Sequence, residues 1–374
     1  MRRKEIWFWQ RIISPHMVGL ASALARRGHG VTYVAERPLS PSRAAQGWET
    51  PSLDGVTADL AETPSAMRDA VNDAPPDSIH LCQGLRGNGL ISVAQKNLSR
   101  RGLRQWVMME TVNDAGFQGV LKRVAYRRHF ASAGRSLEGV LATGHSTPDW
   151  VVAQGMPRAR VFPFAYFLPE VRVTGASREG DARSFRFIFV GQFIERKRLD
   201  LLLSALACVM DEEWEFVVVG SGPLETALRG RAERELGDRV RWIGILPMAE
   251  VKHEMAQADC LVLPSRFDGW GAVVSEALMV GTPVIASDRC GSAGVVGASK
   301  RGGVFKSGSL ESLVGQLQSA LDRGTVHRRE RETLAEWGRC LASDAGALYV
   351  SQILDHVEGN AARPVPPWHQ HLFQ

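Results

Sequence analysis

The chain has 374 residues, 44% of them hydrophobic and 23% charged, with a formal net charge of +5. That length accommodates two ordinary domains, and the composition excludes a disordered chain. No apolar run reaches the roughly 18 residues that a membrane-spanning helix needs.

The charge is uneven. Residues 1–170 hold 21 Lys and Arg against 14 Asp and Glu, a net of +7, and the remainder nets −2. A cationic front half either attracts phosphates, anionic lipid or nucleic acid, or is a solvated surface. The five cysteines (Cys82, Cys208, Cys260, Cys290, Cys340) form no C-x-x-C pair, which points to reduced thiols in a cytosolic compartment and to no zinc site.

In chain order, "MRRKEIWFWQR" lacks the apolar core and small-residue cleavage site of a secretory signal and reads as the first strand. "SPHMVGLASALARRGHG" reads as a helix: Ser14 can cap it, Pro15 suits its first position and Gly28 can end it. "VTYVAE" is the next strand, and "QWVMMETVND" reads as a strand ending at Glu110. "LKRVAYRRHF" (121–130) puts Lys122, Arg123, Arg127 and Arg128 on a helix with apolar residues between them. "GHSTPDWV" is a strand-to-helix turn in which His145 reads as structural. The stretch 168–184 is polar, contains glycine and has no periodicity, so it reads as a linker.

Beyond it, the strands "FRFIFVG", "EFVVVG", "VRWIG", "CLVLPS" and "TPVIAS" alternate with helical segments, the pattern of a parallel sheet covered on both faces. "AEWGRCLASDAGALYVSQILDHVEG" reads as two helices, and the proline-rich tail as irregular.

Ligands of open α/β sheets sit beyond the carboxyl ends of the strands. Gly191 ends one strand and permits close backbone approach. Arg196 and Lys197 then open the next helix, where two cations beside free N–H groups make a phosphate site or are simply exposed. Gly220, Gly222 and Pro223 form a second glycine turn that falls short of the dinucleotide fingerprint. In "SRFDGWGAVVSEAL", Gly269 and Gly271 keep Cβ atoms away from a ligand, and a helix starts near Gly271. Asp268 before it and Glu276 within it are either a pair of hydroxyl-binding carboxylates or a cap and an exposed acid.

These three motifs in this order resemble the retaining glycosyltransferases of family 4, with the GT-B fold. The resemblance spans nearly the whole chain and is strongest from Phe187 to Gly294. It implies two Rossmann-like parallel-sheet domains facing a central cleft. Residues 1–170 would be the acceptor domain and 171–345 the nucleotide-sugar domain. A last helix at 346–358 would pack back on the first domain, with 359–374 an irregular tail.

By position, Lys197 matches the lysine that holds the donor diphosphate. Gln192 replaces the usual arginine, and Arg196 supplies the missing charge. Glu276 matches the acid on the ribose hydroxyls. Asp268 replaces a glutamate that contacts the donor sugar. The backbone at Trp270, Gly271 and Ala272 would line sugar and phosphate, and the turn of Ile245, Leu246 and Pro247 matches where the base edge is read. Ser14 and His16 stand on the donor-phosphate side or are merely helix-start residues. Glu110 either orients the acceptor or is a buried structural acid.

The resemblance further implies a hexosyltransferase-type activity that needs no cofactor, the nucleoside-diphosphate sugar being a substrate, and retention through a same-face mechanism. No D-x-D motif occurs, so no metal is expected. The implied acceptor is a glycan or glycolipid in surface polysaccharide biosynthesis, and nucleic acid is not an implied partner. The expected location is cytoplasmic, peripheral at the inner membrane face if the 121–130 helix docks on anionic lipid. A sugar-nucleotide epimerase of the same fold and a non-catalytic nucleotide-binding subunit are the alternatives.

Overall fold

Ser14 caps the first helix as its sequence requires. Its hydroxyl accepts from the Met17 N–H, Pro15 takes the first helical position, and Gly28 leaves the helix at φ +89°. The same strand-then-helix grammar repeats along the chain in the structure, a computed structural model that describes residues 3–39, 51–133, 136–170, 184–210 and 212–370. Most of the expected linker, 171–183, lies outside the described residues.

The chain forms two units. Among the described residues, the first holds those up to Pro169 together with Ala342–Pro367, and the second holds Glu170–Leu341 and 368–370. The first unit contains seven strands: β1 (Glu5–Ile12), β2 (Gly30–Arg37), β3 (Thr57–Leu60), β4 (Ile79–Gln83), β5 (Gln105–Glu110), β6 (Leu137–Thr143) and β7 (Val161–Phe164). They pair in the order β3-β2-β1-β4-β5-β6-β7, parallel throughout. The helices between them are α1 (Pro15–Arg26), α2 (Pro64–Asp73), α3 (Ile91–Arg100), α4 (Gly116–Ala133) and α5 (Thr147–Ala153). One core gathers Trp9, Val34, Met67 and Leu98, and a second gathers Val107, Phe130, Val140 and Val151.

The second unit contains β8 (Phe185–Val190), β9 (Trp214–Val219), β10 (Val240–Gly244), β11 (Cys260–Leu263), β12 (Val284–Ser287) and β13 (Gly302–Phe305). Their order is β10-β9-β8-β11-β12-β13, again parallel. The helices are α6 (Leu199–Ala207), α7 (Glu225–Leu236), α8 (Met248–Gln257), α9 (Ala272–Met279), α10 (Ala293–Ser299), α11 (Leu310–Arg323) and α12 (Arg328–Gly338). Phe187, Phe189, Leu202, Leu206, Phe216 and Val218 lie in its principal core.

In each sheet the strand order reverses direction once, between β1 and β4 and between β8 and β11. Loops leaving two such neighbours diverge to opposite faces and open a crevice at the carboxyl edge.

The last long helix, α13 (Ser343–Val357), returns to the first unit. Its Ser351 hydroxyl lies 3.2 Å from His29 Nε2, and Tyr349 stacks on Phe164.

Candidate active site

The loops after β8 and β11 flank the switch point of the second sheet, and they carry the residues that come together. Gly191 follows β8 and donates its N–H to Val219, while Phe193 N–H bonds Ser221 O at 2.9 Å. At Gly220, φ is +129° and an added Cβ would lie 2.0 Å from Gly191 O, so only glycine lets these two loops approach. Gly222 and Pro223 continue that turn, and Gln192 follows Gly191 without a side-chain hydrogen bond among the described residues.

Arg196 and Lys197 do not open the next helix, contrary to the sequence expectation. They lie on a separate short turn, Glu195–Lys197, and Arg198 at φ +52° breaks the chain before α6 starts at Leu199. A left-handed residue cannot continue a right-handed helix, so the free N–H groups of α6 lie one turn further on.

That short turn aims both cations at the loop after β11. Lys197 Nζ lies 2.6 Å from Asp268 Oδ2, and Arg196 NH1 lies 3.4 Å from Asp268 Oδ1. Arg196 also donates to Phe267 O at 3.0 Å. Asp268 therefore faces the two cations assigned to the donor diphosphate, a partnership the sequence reading did not contain. The loop is fixed on both sides. Asp268 N–H bonds Arg289 O, Gly291 N–H bonds Asp268 O, and the Ser287 hydroxyl donates to Ser265 O at 2.6 Å.

Gly269, Trp270 and Gly271 lead into α9, whose first residue is Ala272. Gly271, at φ +86°, lies at its N-cap as expected. The Trp270 ring is buried, and its Nε1 donates to Ser275 Oγ at 3.0 Å, so the indole serves as a wedge under the helix start.

Glu276 follows one turn into α9. It keeps some accessible surface, but protein atoms crowd its carboxyl. That desolvation raises its pKa above the usual carboxylate value, with Lys252 on α8 partly opposing the shift. Ile245 is exposed, and Leu246 and Pro247 follow it past the carboxyl end of β10.

A cavity of about 110 Å3 lies at the opposite edge of this sheet, among Phe185, Cys260, Pro283, Lys300 and Arg323, where strands begin. It is separate from the residues above.

In the first unit, Glu110 ends β5 and is exposed, which removes the reading of it as a buried structural acid. It accepts a hydrogen bond from the Tyr166 hydroxyl, and the buried His16 ring stacks on Tyr166 at 5.5 Å and 14°. Sequence reasoning missed Tyr166. Its signal was its position two residues beyond β7, on the same carboxyl edge as Glu110. His145 is exposed.

The basic helix forms, as α4; Tyr126, Phe130 and Ala133 give it the core stripe, but a second set of apolar residues faces outward. Phe117 is 78% exposed and Leu121 57%, with Val120 and Val124 also exposed. Lys122 and Arg123 bond back to the Asn113 and Asp114 carbonyls, while Arg127 and Arg128 are exposed.

Among the described residues no three or more His, Cys, Asp or Glu side chains cluster as a metal site would require. No described helix is long and apolar enough to cross a membrane.

Two doubly wound parallel-sheet units, the second with two cations at its switch point, define a Rossmann-like α/β architecture. Comparison with solved structures identifies it as the GT-B fold. Anabaena HepE in complex with UDP superposes with a TM-score of 0.69 at 14% identity, over 94% of this chain and 100% of that one. The lipopolysaccharide outer core galactosyltransferase WaaB gives 0.67 at 15% identity, over 93% and 99%. At such identities the likeness speaks for the fold alone.

Residues 177–339, a stretch within the second unit, match the family described as Glycosyl transferases group 1. The amylovoran biosynthesis glycosyltransferase AmsK of Erwinia amylovora is 24% identical over 176 residues, 45% of this chain and 43% of that protein. The 2-deoxystreptamine glucosyltransferase of Streptomyces kanamyceticus is 29% identical over 174 residues, 46% and 44%. The matched stretch thus spans less than half the length of these curated relatives.

Proposed function

We propose that the protein is a metal-independent, retaining glycosyltransferase of family 4 that moves a sugar from a nucleoside-diphosphate sugar to a glycan or glycolipid in surface polysaccharide biosynthesis. The observation that carries this reading is the convergence of Lys197, Arg196, Asp268 and the start of α9 at the switch point of a group 1 domain.

Breaking the sugar–phosphate bond leaves negative charge on the departing diphosphate. Lys197 and Arg196 stabilise that charge, and a helix N-terminus aimed at it adds to the effect. Glu276 takes the ribose hydroxyls, and the Ile245–Pro247 turn takes the base edge. Retention follows if the leaving phosphate accepts the acceptor's proton on the same face. Glu110, held by Tyr166, orients the acceptor hydroxyl.

The exposed apolar residues of α4, next to Arg127 and Arg128, support a peripheral position on the cytoplasmic face of an anionic membrane.

Incubating the pure protein with a panel of nucleotide sugars tests the reading. Slow release of one nucleoside diphosphate is the expected result. An isomerised donor would instead indicate an epimerase, and binding without turnover a non-catalytic subunit.

A further inference from the structure

The two cations assigned to the diphosphate are already engaged by one side chain. Lys197 and Asp268 are 12% and 14% exposed, close enough for a charge-assisted bond at 2.6 Å, and the second Asp268 oxygen turns to Arg196. The Ser265 hydroxyl lies 3.4 Å from the Lys197-bound oxygen. Asp268 does not arrive there by side-chain wandering. Its N–H and C=O are both tied to the loop after β12, and a parallel bridge joins it to Cys290. With the backbone held, a one-carbon side chain ends on Lys197.

We propose that Asp268 is an internal competitor of the donor's diphosphate: its carboxylate already engages Lys197 and Arg196, and a diphosphate brought to the same two cations meets that like charge, so binding drives Asp268 off Lys197. The idea rests on the donor-site reading above and adds its regulation.

Two consequences follow from charge. A diphosphate carries more negative charge than a carboxylate and wins the exchange, whereas a nucleoside has nothing to exchange. Displacement therefore costs diphosphate affinity and leaves nucleoside affinity untouched. Once displaced, the carboxylate lies beside like charge and turns away, which makes the posture of the Asp268 side chain depend on occupancy. Asp268 is in this sense a positioning residue acting through Lys197.

The test is calorimetric titration at low salt with UDP, GDP, ADP and the matching nucleosides. Whichever diphosphate binds the native chain should bind Asp268→Asn about tenfold tighter, the size of one charge-assisted bond surrendered. Nucleoside affinity should not move, and inhibition by the product diphosphate should strengthen even as turnover falls. Adding Lys197→Ala to Asp268→Asn should erase the gain, a coupling expected only of groups in contact. Asp268→Glu, which keeps the charge, should stay near the native affinity. Asp268→Ser serves as the second neutral variant if the asparagine chain does not fold. Native binding with no gain, or a loss, in a folded neutral variant overturns the competitor idea alone. No binding of any diphosphate by any form overturns the donor site and this inference with it.

Discussion

Glu276 sets the pH behaviour of the proposed donor site. Burial raises its pKa, and Lys252 counters only part of the shift. Only the ionised carboxylate accepts from both ribose hydroxyls, so nucleoside-diphosphate affinity is complete above the raised pKa and falls as pH drops through it. Because the folded pKa lies above the usual carboxylate value, the decline begins at a pH where an ordinary glutamate is still fully ionised. Glu276→Gln should bind more weakly at neutral pH, by about tenfold, and lose that acidic-side decline. Titrations of both proteins from neutral pH downward measure it, and an unchanged pH profile in the variant would remove Glu276 from the ribose. At this scale the residue identities were legible, because acids, cations and glycines follow strand ends. The Lys197–Asp268 pairing was not. The two residues are 71 positions apart, and only the adjacency of β8 and β11, which no local pattern encodes, brings them together.

Among the described elements, α4 gathers four exposed large apolar side chains. Phe130 is buried, Tyr126 packs edge-on against Trp150, and Trp150 donates to Asp114, so one side of the helix is anchored. Phe117, Val120, Leu121 and Val124 recur at helical spacing on the surface. If this face docks on anionic lipid, sedimentation with phosphatidylserine vesicles should fall steeply with added salt. Replacing both Arg127 and Arg128 by Ser should weaken association about tenfold or more, at about 1 kcal/mol per cation near the surface, and leave nucleotide binding intact. Phe117→Ser should weaken it without changing the salt slope. Association indifferent to both changes would return α4 to a solvated helix. The sequence showed this helix and its cations but not its orientation, since a stripe of apolar residues looks the same whether it faces a core or a membrane. Short strands were the other blind spot. β13 contains the pair Gly302–Gly303, and β3 is exposed along its length, so neither has the buried β-branched pattern that marked β8, β9 and β11.

At the scale of the molecule, the chain does not finish its first unit until it has completed the second. Helix α13 follows Leu341 in sequence yet belongs with residues up to Pro169. It packs on α1 at Gly19, where an added Cβ would lie 2.6 Å from Ser343 Oγ, and Gly346 leaves room for the Phe167 ring. Lys4 pairs with Glu358, Arg26 with Asp344 at 2.7 Å, and Tyr349, Val350, Ile353 and Leu354 are buried. Each large apolar side chain among these contributes about 1.5–3 kcal/mol of burial, so their sum rivals the 5–15 kcal/mol that typically holds a whole domain together. A chain ending at Leu341 should therefore lose its first unit and keep its second. Hydrogen exchange should show α1 and β1–β2 unprotected, while β8, β9 and β11 stay protected. A nucleoside diphosphate that binds the full chain should still raise the melting temperature of the truncated one, because a ligand of the second unit stabilises whatever fold carries its site. The opposite pattern, with protection lost around β8 and retained around β1, would mean that α13 supports the second unit and that the division of the chain drawn here is wrong.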